Sequence, residues 1–147
     1  MIEVNSFKYA SLEDLKEAKR LILLDKIEDP HNLGAIIRSA ESFGFDGVII
    51  PEHRSAKVNP TVYKTSAGAI NNIKIFMVTN LNQTIETIKK DGFWVYGLAG
   101  EAKNSLSATN LTGRVAIVVG NEGDGISRLV RDNCDELIKI PMLGKVN

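Results

Sequence analysis

Short uninterrupted apolar runs alternate along the chain with segments whose apolar residues recur at helical spacing. Residues 21–24 form the first run, which is typical of a strand buried on both faces of a sheet. Asp29 and Pro30 then supply an N-cap and a proline at the first helical position. The helix predicted from there to Phe43 carries its apolar residues at 33, 36, 37, 40 and 43, which form one stripe.

The same alternation continues through the sequence. It predicts five more strands and three more helices: strands at residues 48–50, 73–78, 93–98, 115–119 and 137–140, and helices over residues 60–67, 81–92 and 127–133. Strands that alternate with helices need crossover connections. We therefore expect an α/β domain with a mainly parallel six-stranded sheet and helices on both faces. Residues 100–113 are polar and rich in Gly, Asn and Ser, which indicates a loop with at most short local structure.

The first 19 residues precede this alternation and form a lead-in. Ser11 to Asp14 resemble a capping box, which predicts a short helix ending near Lys19. A segment of this kind often links a preceding domain to the next one. The predicted division is an interdomain linker at residues 1–19 and a single domain at residues 20–147.

Composition narrows the class of protein. The chain has 18 basic and 18 acidic residues, and this neutral total excludes a polycation. Any attraction to nucleic acid is then local, around Arg38 and the strand ends, or belongs to a domain that this sequence does not include. Its one cysteine, Cys134, excludes an internal disulfide framework and a multi-cysteine zinc site, and is interpreted as a small buried residue. His31 and His53 have no ligand cluster beside them, so no metal site is expected. No spanning segment or signal peptide is evident, and the expected location is the cytoplasm.

Candidate chemistry follows the strands, because sites in parallel sheets form at the carboxyl ends. After the first strand, Asn32 falls in the first helical turn, and Arg38 shares a face with Gly34, Glu41 and Ser42 opposite the apolar stripe. Arg38 therefore points away from the chain's own core. A surface ion pair between Arg38 and Glu41 is the alternative that spacing alone favours.

Three further segments follow later strands. Residues 120–125 read Gly-Asn-Glu-Gly-Asp-Gly, which is neither the dinucleotide-binding nor the P-loop spacing, and a tight structural turn is the alternative. Residues 97–100 are Gly-Leu-Ala-Gly, and their small side chains leave space above the sheet. Residues 140–144 are Ile-Pro-Met-Leu-Gly, an extended strand end followed by a permitted sharp turn.

Taken together, these segments resemble the SpoU (TrmH-like) branch of the SPOUT methyltransferases over about residues 20–147. Asn32 and Arg38 match the family's first motif, and Gly120, Glu122 and Gly125 match its second. Residues 140–144 match the start of the third motif, and residues 64–69 look like the bacterial rRNA-modifying members.

The resemblance implies transfer of a methyl group from S-adenosylmethionine to a ribose 2′-hydroxyl of structured RNA, either rRNA of the 23S guanosine type or tRNA. It also implies a C-terminal trefoil knot and a homodimer that completes the site. Arg38 would be the base or RNA-activating group, with phosphate binding as the physically safer role because guanidinium stays charged. Asn32 and Glu122 would order the site around it. The cofactor would be held by Leu98, Ala99, Gly100, Gly120, Asn121, Gly125, Ile140 and Met142.

The sequence stops just before the segment and final helix that complete the third motif in the family. We therefore expect a domain cut short at its C-terminus, with an incomplete knot and weak or no activity on its own. Calorimetric titration that found micromolar binding of S-adenosylmethionine would contradict this expectation.

Two other readings stay open at this point. One is a non-catalytic RNA- or nucleotide-binding module with the same fold. The other is a doubly wound nucleotide-binding domain of another enzyme class, which the absence of G-x-G-x-x-G and of a P-loop weakens.

Overall fold

A computed structural model describes residues 7–99, 104–105, 112–121 and 125–139, and the structural statements below concern these residues. They form one sheet with the strand order β3-β2-β1-β6-β4-β7-β5, in which every neighbouring pair is parallel. The strands are β1 (Arg20–Asp25), β2 (Gly47–Pro51), β3 (Lys74–Val78), β4 (Trp94–Leu98), β5 (Asn104–Ser105), β6 (Val115–Gly120) and β7 (Glu136–Lys139). The six predicted strands are confirmed, the fifth and sixth being β6 and β7. The two-residue β5 at the sheet edge is an addition from the predicted loop.

Four α-helices cover the two faces of the sheet, as predicted: α1 (Pro30–Ser42), α2 (Pro60–Thr65), α3 (Leu81–Lys90) and α4 (Arg128–Asn133). Two 3-10 helices, Leu12–Glu17 and Ala69–Asn71, complete the described elements. Alternate strand residues point to opposite faces, so α1 and α2 pack on one apolar cluster while α3 and α4 pack on another. Within the described ranges, no helix combines the length and the apolar character that crossing a bilayer requires.

Helix α1 begins where the sequence predicts. The Asp29 side chain accepts a hydrogen bond from the backbone N–H of His31 at 3.0 Å, and Pro30 occupies the first turn. One part of the prediction is wrong, because Gly34 is buried rather than outward-facing. A Cβ at Gly34 would lie 2.8 Å from Cβ of Thr65 and closer still to its Oγ1. The missing side chain therefore lets α2 pack directly on α1.

The lead-in contains a short helix, but its cap differs from the predicted capping box. Ser11 accepts a hydrogen bond from the backbone N–H of Glu13 at 3.3 Å. The Asp14 carboxylate instead forms an ion pair with Lys74 at 3.2 Å. The capping box does not form because Lys74 binds the carboxylate that the box would need. The same ion pair links the lead-in to the start of β3.

Residues 7–10 run beside the outer strand β3. The backbone N–H of Ala10 donates to the carbonyl of Ile75 at 2.8 Å. The Tyr9 hydroxyl accepts a hydrogen bond from the N–H of Val58 at 3.2 Å. The lead-in is thus packed on the sheet before its 3-10 helix begins.

Arg114 fastens the 3-10 helix Leu12–Glu17 to the amino ends of the strands. Its guanidinium donates to the carbonyls of Leu15, Lys16 and Ala18 at 2.9–3.1 Å. It also donates to the carbonyl of Asp91 at 2.6 Å and lies 4.2 Å from the centre of the Phe93 ring. One side chain therefore binds four carbonyls in two segments, residues 15–18 and the end of α3 at Asp91.

Replacing Arg114 with alanine is expected to lower the free energy of unfolding by about 2–4 kcal/mol, because two partly buried and two exposed carbonyls lose their donor. Arg114→Lys should recover only a minor part, since an ammonium cannot match the planar fork or stack on Phe93. Urea denaturation monitored by circular dichroism measures both changes. Lys16→Ala, which removes an exposed cation from the same helix, is the control, and equal losses for the two alanine variants would contradict the prediction.

Candidate active site at the carboxyl edge of the sheet

The central strands β1 and β6 are neighbours, and Asp25 at the end of β1 pairs with Gly120 at the end of β6. Helix α1 follows β1 onto one face, and α4 follows β6 onto the other. Parallel sheets bind ligands at the carboxyl edge where adjacent strands send their helices to opposite faces, and this position between the ends of β1 and β6 is called the crevice below. The fold thus points to the carboxyl edge of the sheet, where most of the candidate residues lie, as the candidate site.

The structure places Asn32 at this crevice and Arg38 farther along the same helix. Asn32 lies in the first turn of α1 and is partly exposed. Arg38 is exposed about 9 Å farther along the helix axis, at 1.5 Å per residue. It forms no ion pair with Glu41 in the described structure, so the surface-pair alternative is not realised.

The turn after β6 is as tight as its glycines allow. The N–H of Gly125 donates to the carbonyl of Asn121 at 2.8 Å, which closes the turn, and Gly125 has a φ of 69°. A Cβ on Gly120 would collide with the backbone of Gly125 and Ile126. Gly120 and Gly125 therefore have a structural reason to be glycine, whatever else the turn binds.

Beside this turn, the end of β4 presents Leu98 and Ala99, both partly exposed. The N–H of Ala99 donates to the carbonyl of Ile138 at 2.9 Å, which ties β4 to β7. The expectation that Gly97 leaves space above the sheet is wrong. A Cβ there would lie 2.9 Å from Sγ of Cys134 and 3.0 Å from side-chain atoms of Ile126 and Leu137, so these side chains already fill the space.

Four predicted site residues lie outside the described residues: Gly100, Glu122, Ile140 and Met142. The same holds for the segment on which the predicted knot depends. The predicted residues that the structure brings to one edge are Asn32, Leu98, Ala99, Gly120, Asn121 and Gly125.

Sequence reasoning missed Asp25, which ends β1 at the floor of the crevice. Only 5% of its surface is exposed. Its Oδ2 accepts a hydrogen bond from the backbone N–H of Ser127 at 2.6 Å, and Ser127 immediately precedes α4. The available signal was a single acid at the end of an uninterrupted apolar strand.

Cys134 lies below the turn and is only half-buried. Its thiol donates to the carbonyl of Val130 at 3.4 Å. Burial raises the pKa of this thiol from 9.0 to about 11, with Asp135 and Asp25 adding to the rise and Lys89 opposing it. The thiol therefore stays protonated near neutral pH, whereas a cysteine nucleophile must be a thiolate.

We expect Cys134 to react with iodoacetamide about a hundredfold more slowly in the folded chain than in urea, because the pKa is raised by about two units. As the pH rises, the Cys134 thiol loses its proton at a lower pH in the unfolded chain than in the folded one. The thiol's contribution to stability is thus complete below pH 9 and is lost as the pH rises through about 11. Mass spectrometry of labelling between pH 7 and 10 measures the rates, and equal rates in both states would contradict the assignment.

An open cavity of about 640 Å³ lies at the opposite, amino edge of the sheet. Its lining includes Arg114, Lys19 and Asp46. The Arg114 guanidinium is engaged with backbone carbonyls, and Asp46 accepts hydrogen bonds from the N–H groups of Lys19 and Arg20 at 2.7 and 2.9 Å. These groups hold the lead-in to the sheet, so the cavity is not the preferred site.

The sequence is similar to those of known RNA methyltransferases. The family model of the SpoU rRNA Methylase family matches residues 19–147. The 23S rRNA (guanosine-2'-O-)-methyltransferase RlmB of Xanthomonas campestris is 50% identical over 139 residues, which cover 92% of this chain and 56% of the relative. The chain thus spans about half the length of this curated relative.

Solved structures show the same fold. The A. aeolicus TrmH/SpoU tRNA modifying enzyme matches with a TM-score of 0.72 at 26% identity, covering 89% of this chain and 70% of that one. The SpoU methyltransferase AviRb from Streptomyces viridochromogenes, in complex with AdoMet, matches with a TM-score of 0.79 at 24% identity, covering 92% and 56%.

Proposed function

Because the chain belongs to the SpoU rRNA methylase family, we propose that it transfers a methyl group from S-adenosylmethionine to a ribose 2′-hydroxyl of structured RNA. The observation that carries the proposal is the crevice between β1 and β6, which is flanked by the helix that bears Asn32 and Arg38. The RlmB relative favours a guanosine of 23S rRNA as the target, with tRNA as the other candidate. We propose the cytoplasm as the location, because rRNA and tRNA are both present there.

The described part of the rim fits a cofactor that is held by apolar contacts and backbone groups. Leu98 offers a partly exposed apolar surface, while Ala99 and Gly120 leave the backbone accessible. Gly100, Ile140 and Met142 complete the proposed set. When bound, S-adenosylmethionine supplies a methyl group made electrophilic by its sulfonium. The chain's own contribution is to hold donor and hydroxyl in line, which supplies much of the catalysis in such transfers.

Arg38 suits the RNA side of the site. Its exposed guanidinium stays charged and can bind a phosphate with two parallel hydrogen bonds. Binding the phosphate next to the target ribose would orient the 2′-hydroxyl, while Asn32 and Glu122 order the groups around it. A ribose hydroxyl is a weak nucleophile, so a positioned proton acceptor would assist as the methyl group leaves the sulfonium sulfur and bonds to the oxygen.

A second copy of this chain is part of the proposal. Arg38 is exposed about two turns along α1 from the crevice, and the surface around the end of α1 also includes Phe43, which is 70% exposed. A symmetric dimer through this face would cover Phe43 and bring each Arg38 toward the crevice of the partner. Light scattering combined with size-exclusion chromatography measures whether the chain is a monomer or a dimer.

The deciding experiment is transfer of tritium from labelled S-adenosylmethionine to transcripts of 23S rRNA and tRNA. Both the 147-residue chain and a version extended past Asn147 are assayed. Methylation of the 2′-hydroxyl makes the adjacent phosphodiester resistant to alkali, so the product identifies the reacting atom. RNA binding without transfer in either version would instead support the non-catalytic binding module.

A further inference from the structure

Asp25 is a buried carboxylate that the proposed reaction does not use directly. It is the last residue of β1 and 5% exposed. A buried carboxylate is costly unless hydrogen-bond donors meet it, and the N–H of Ser127 does so at 2.6 Å. A contact this short to a charged acceptor is among the stronger hydrogen bonds in proteins.

Asp25 holds the turn after β6 at both of its ends. The turn leaves the sheet at Gly120, which is the β-ladder partner of Asp25. It returns at Ser127, whose N–H is bound by the Asp25 carboxylate. The Ser127 side chain makes no capping hydrogen bond to α4. The start of α4 is instead held by the hydrogen bond that the backbone N–H of Ser127 donates to Asp25.

The same residue is also the root of the connection to α1. Lys26, which follows it, has a φ of 64°, so the chain turns sharply away from the strand. Ile27 is then tied to the next loop, since its carbonyl accepts from the N–H of Ala56 at 2.8 Å. Asp25 thus begins one of the two connections that flank the crevice and binds the end of the other.

We infer that Asp25 is a positioning residue, which holds Ser127, where the chain returns from the glycine turn, at the end of β1 from which the chain continues to Asn32 in α1. It acts through Ser127 and touches neither substrate nor cofactor. The inference rests on the proposed function for its catalytic consequence, but its structural core, the anchoring of the turn, can be tested without any ligand.

Hydrogen exchange measured by mass spectrometry tests the anchoring. In Asp25→Ala, amides 121–127 should exchange at least about tenfold faster, while amides of β6 at 115–119 keep their protection. Asp25→Asn retains an acceptor of the same shape and should recover most of the protection. It also keeps the test decisive if the alanine variant fails to fold. Unchanged exchange at 121–127, or equal acceleration throughout the sheet, would overturn the inference.

Calorimetric titration with S-adenosylhomocysteine tests the consequence. We expect Kd to rise about tenfold in Asp25→Ala and to return close to the wild-type value in Asp25→Asn. Asp46→Ala is the matched control, because Asp46 also accepts backbone N–H groups but at the opposite edge of the sheet. It should leave both Kd and exchange at 121–127 unchanged. If neither the wild-type chain nor the version extended past Asn147 bound cofactor or transferred a methyl group, the proposed function would fail, and hydrogen exchange would still decide the role of Asp25.

Discussion

Arg38→Ala is expected to lower the rate of methyl transfer at least about a hundredfold, the effect typical of removing one preorganised charged group from a transfer site. The guanidinium is exposed and has no carboxylate partner in the described structure, so its removal costs the fold little. The tritium-transfer assay, run with the active version of the chain, measures the loss. The Kd for S-adenosylhomocysteine should stay unchanged, because the proposed role of Arg38 lies on the RNA side.

Arg38→Lys separates charge from geometry. Lysine should recover much of the RNA affinity but leave kcat at least about tenfold low, since its ammonium cannot make two parallel hydrogen bonds to one phosphate. Lys90→Ala, an exposed cation in the last turn of α3, controls for a general loss of positive charge. A rate in Arg38→Ala equal to that of the wild type would remove Arg38 from the mechanism.

Gly34→Ala is expected to destabilise the chain by about 2–4 kcal/mol, although helix propensity alone predicts a gain of up to about 1 kcal/mol. The steric clash between the added Cβ and Thr65 outweighs the gain in helix propensity, so the net effect is a loss of stability. A Cβ at Gly34 would meet Oγ1 of Thr65 and lie 2.8 Å from its Cβ, and the backbone nitrogen of Ser66 lies only 3.2 Å away. Thr65 is held by a hydrogen bond from Oγ1 to the carbonyl of Thr61 at 3.0 Å, so the two helices must move apart.

Thermal and urea unfolding measure this loss. Ala35→Gly is the matched control, because Ala35 is exposed on the same helix and should lose only about 1 kcal/mol of propensity. Thr65→Ala combined with Gly34→Ala should recover part of the stability, since one of the two closest atoms is then gone. A stabilised Gly34→Ala variant would show that α1 and α2 do not pack at this distance.

Local features of the fold could be read from the sequence because they depend on neighbours in the chain. Asp29 and Pro30 determine the start of α1, and the cap of α3 at Asn80 follows the same logic, with its side chain accepting from the N–H of Gln83 at 3.0 Å. The apolar runs predicted the strands because burial on both faces leaves no polar positions.

What the sequence could not provide depends on residues that are distant along the chain. The lateral order that inserts β6 between β1 and β4 leaves no local pattern, since each strand is equally apolar. Gly97 was misread because the side chain that fills its space, Cys134, comes 37 positions later. Asp25 was missed for the same reason, since its donor Ser127 lies 102 residues away.

The placement of residues 7–10 along β3 has a consequence for the chain in solution. An open parallel sheet ends in strands whose unpaired N–H and C=O groups can template pairing with another molecule. At the β3 edge, the N–H of Ala10 donates a hydrogen bond to the carbonyl of Ile75 at 2.8 Å, and the side chain of Asp14 pairs with Lys74 at the start of the same strand. The lead-in thus occupies part of the open edge of β3, which leaves fewer groups there for edge-to-edge pairing with a second sheet.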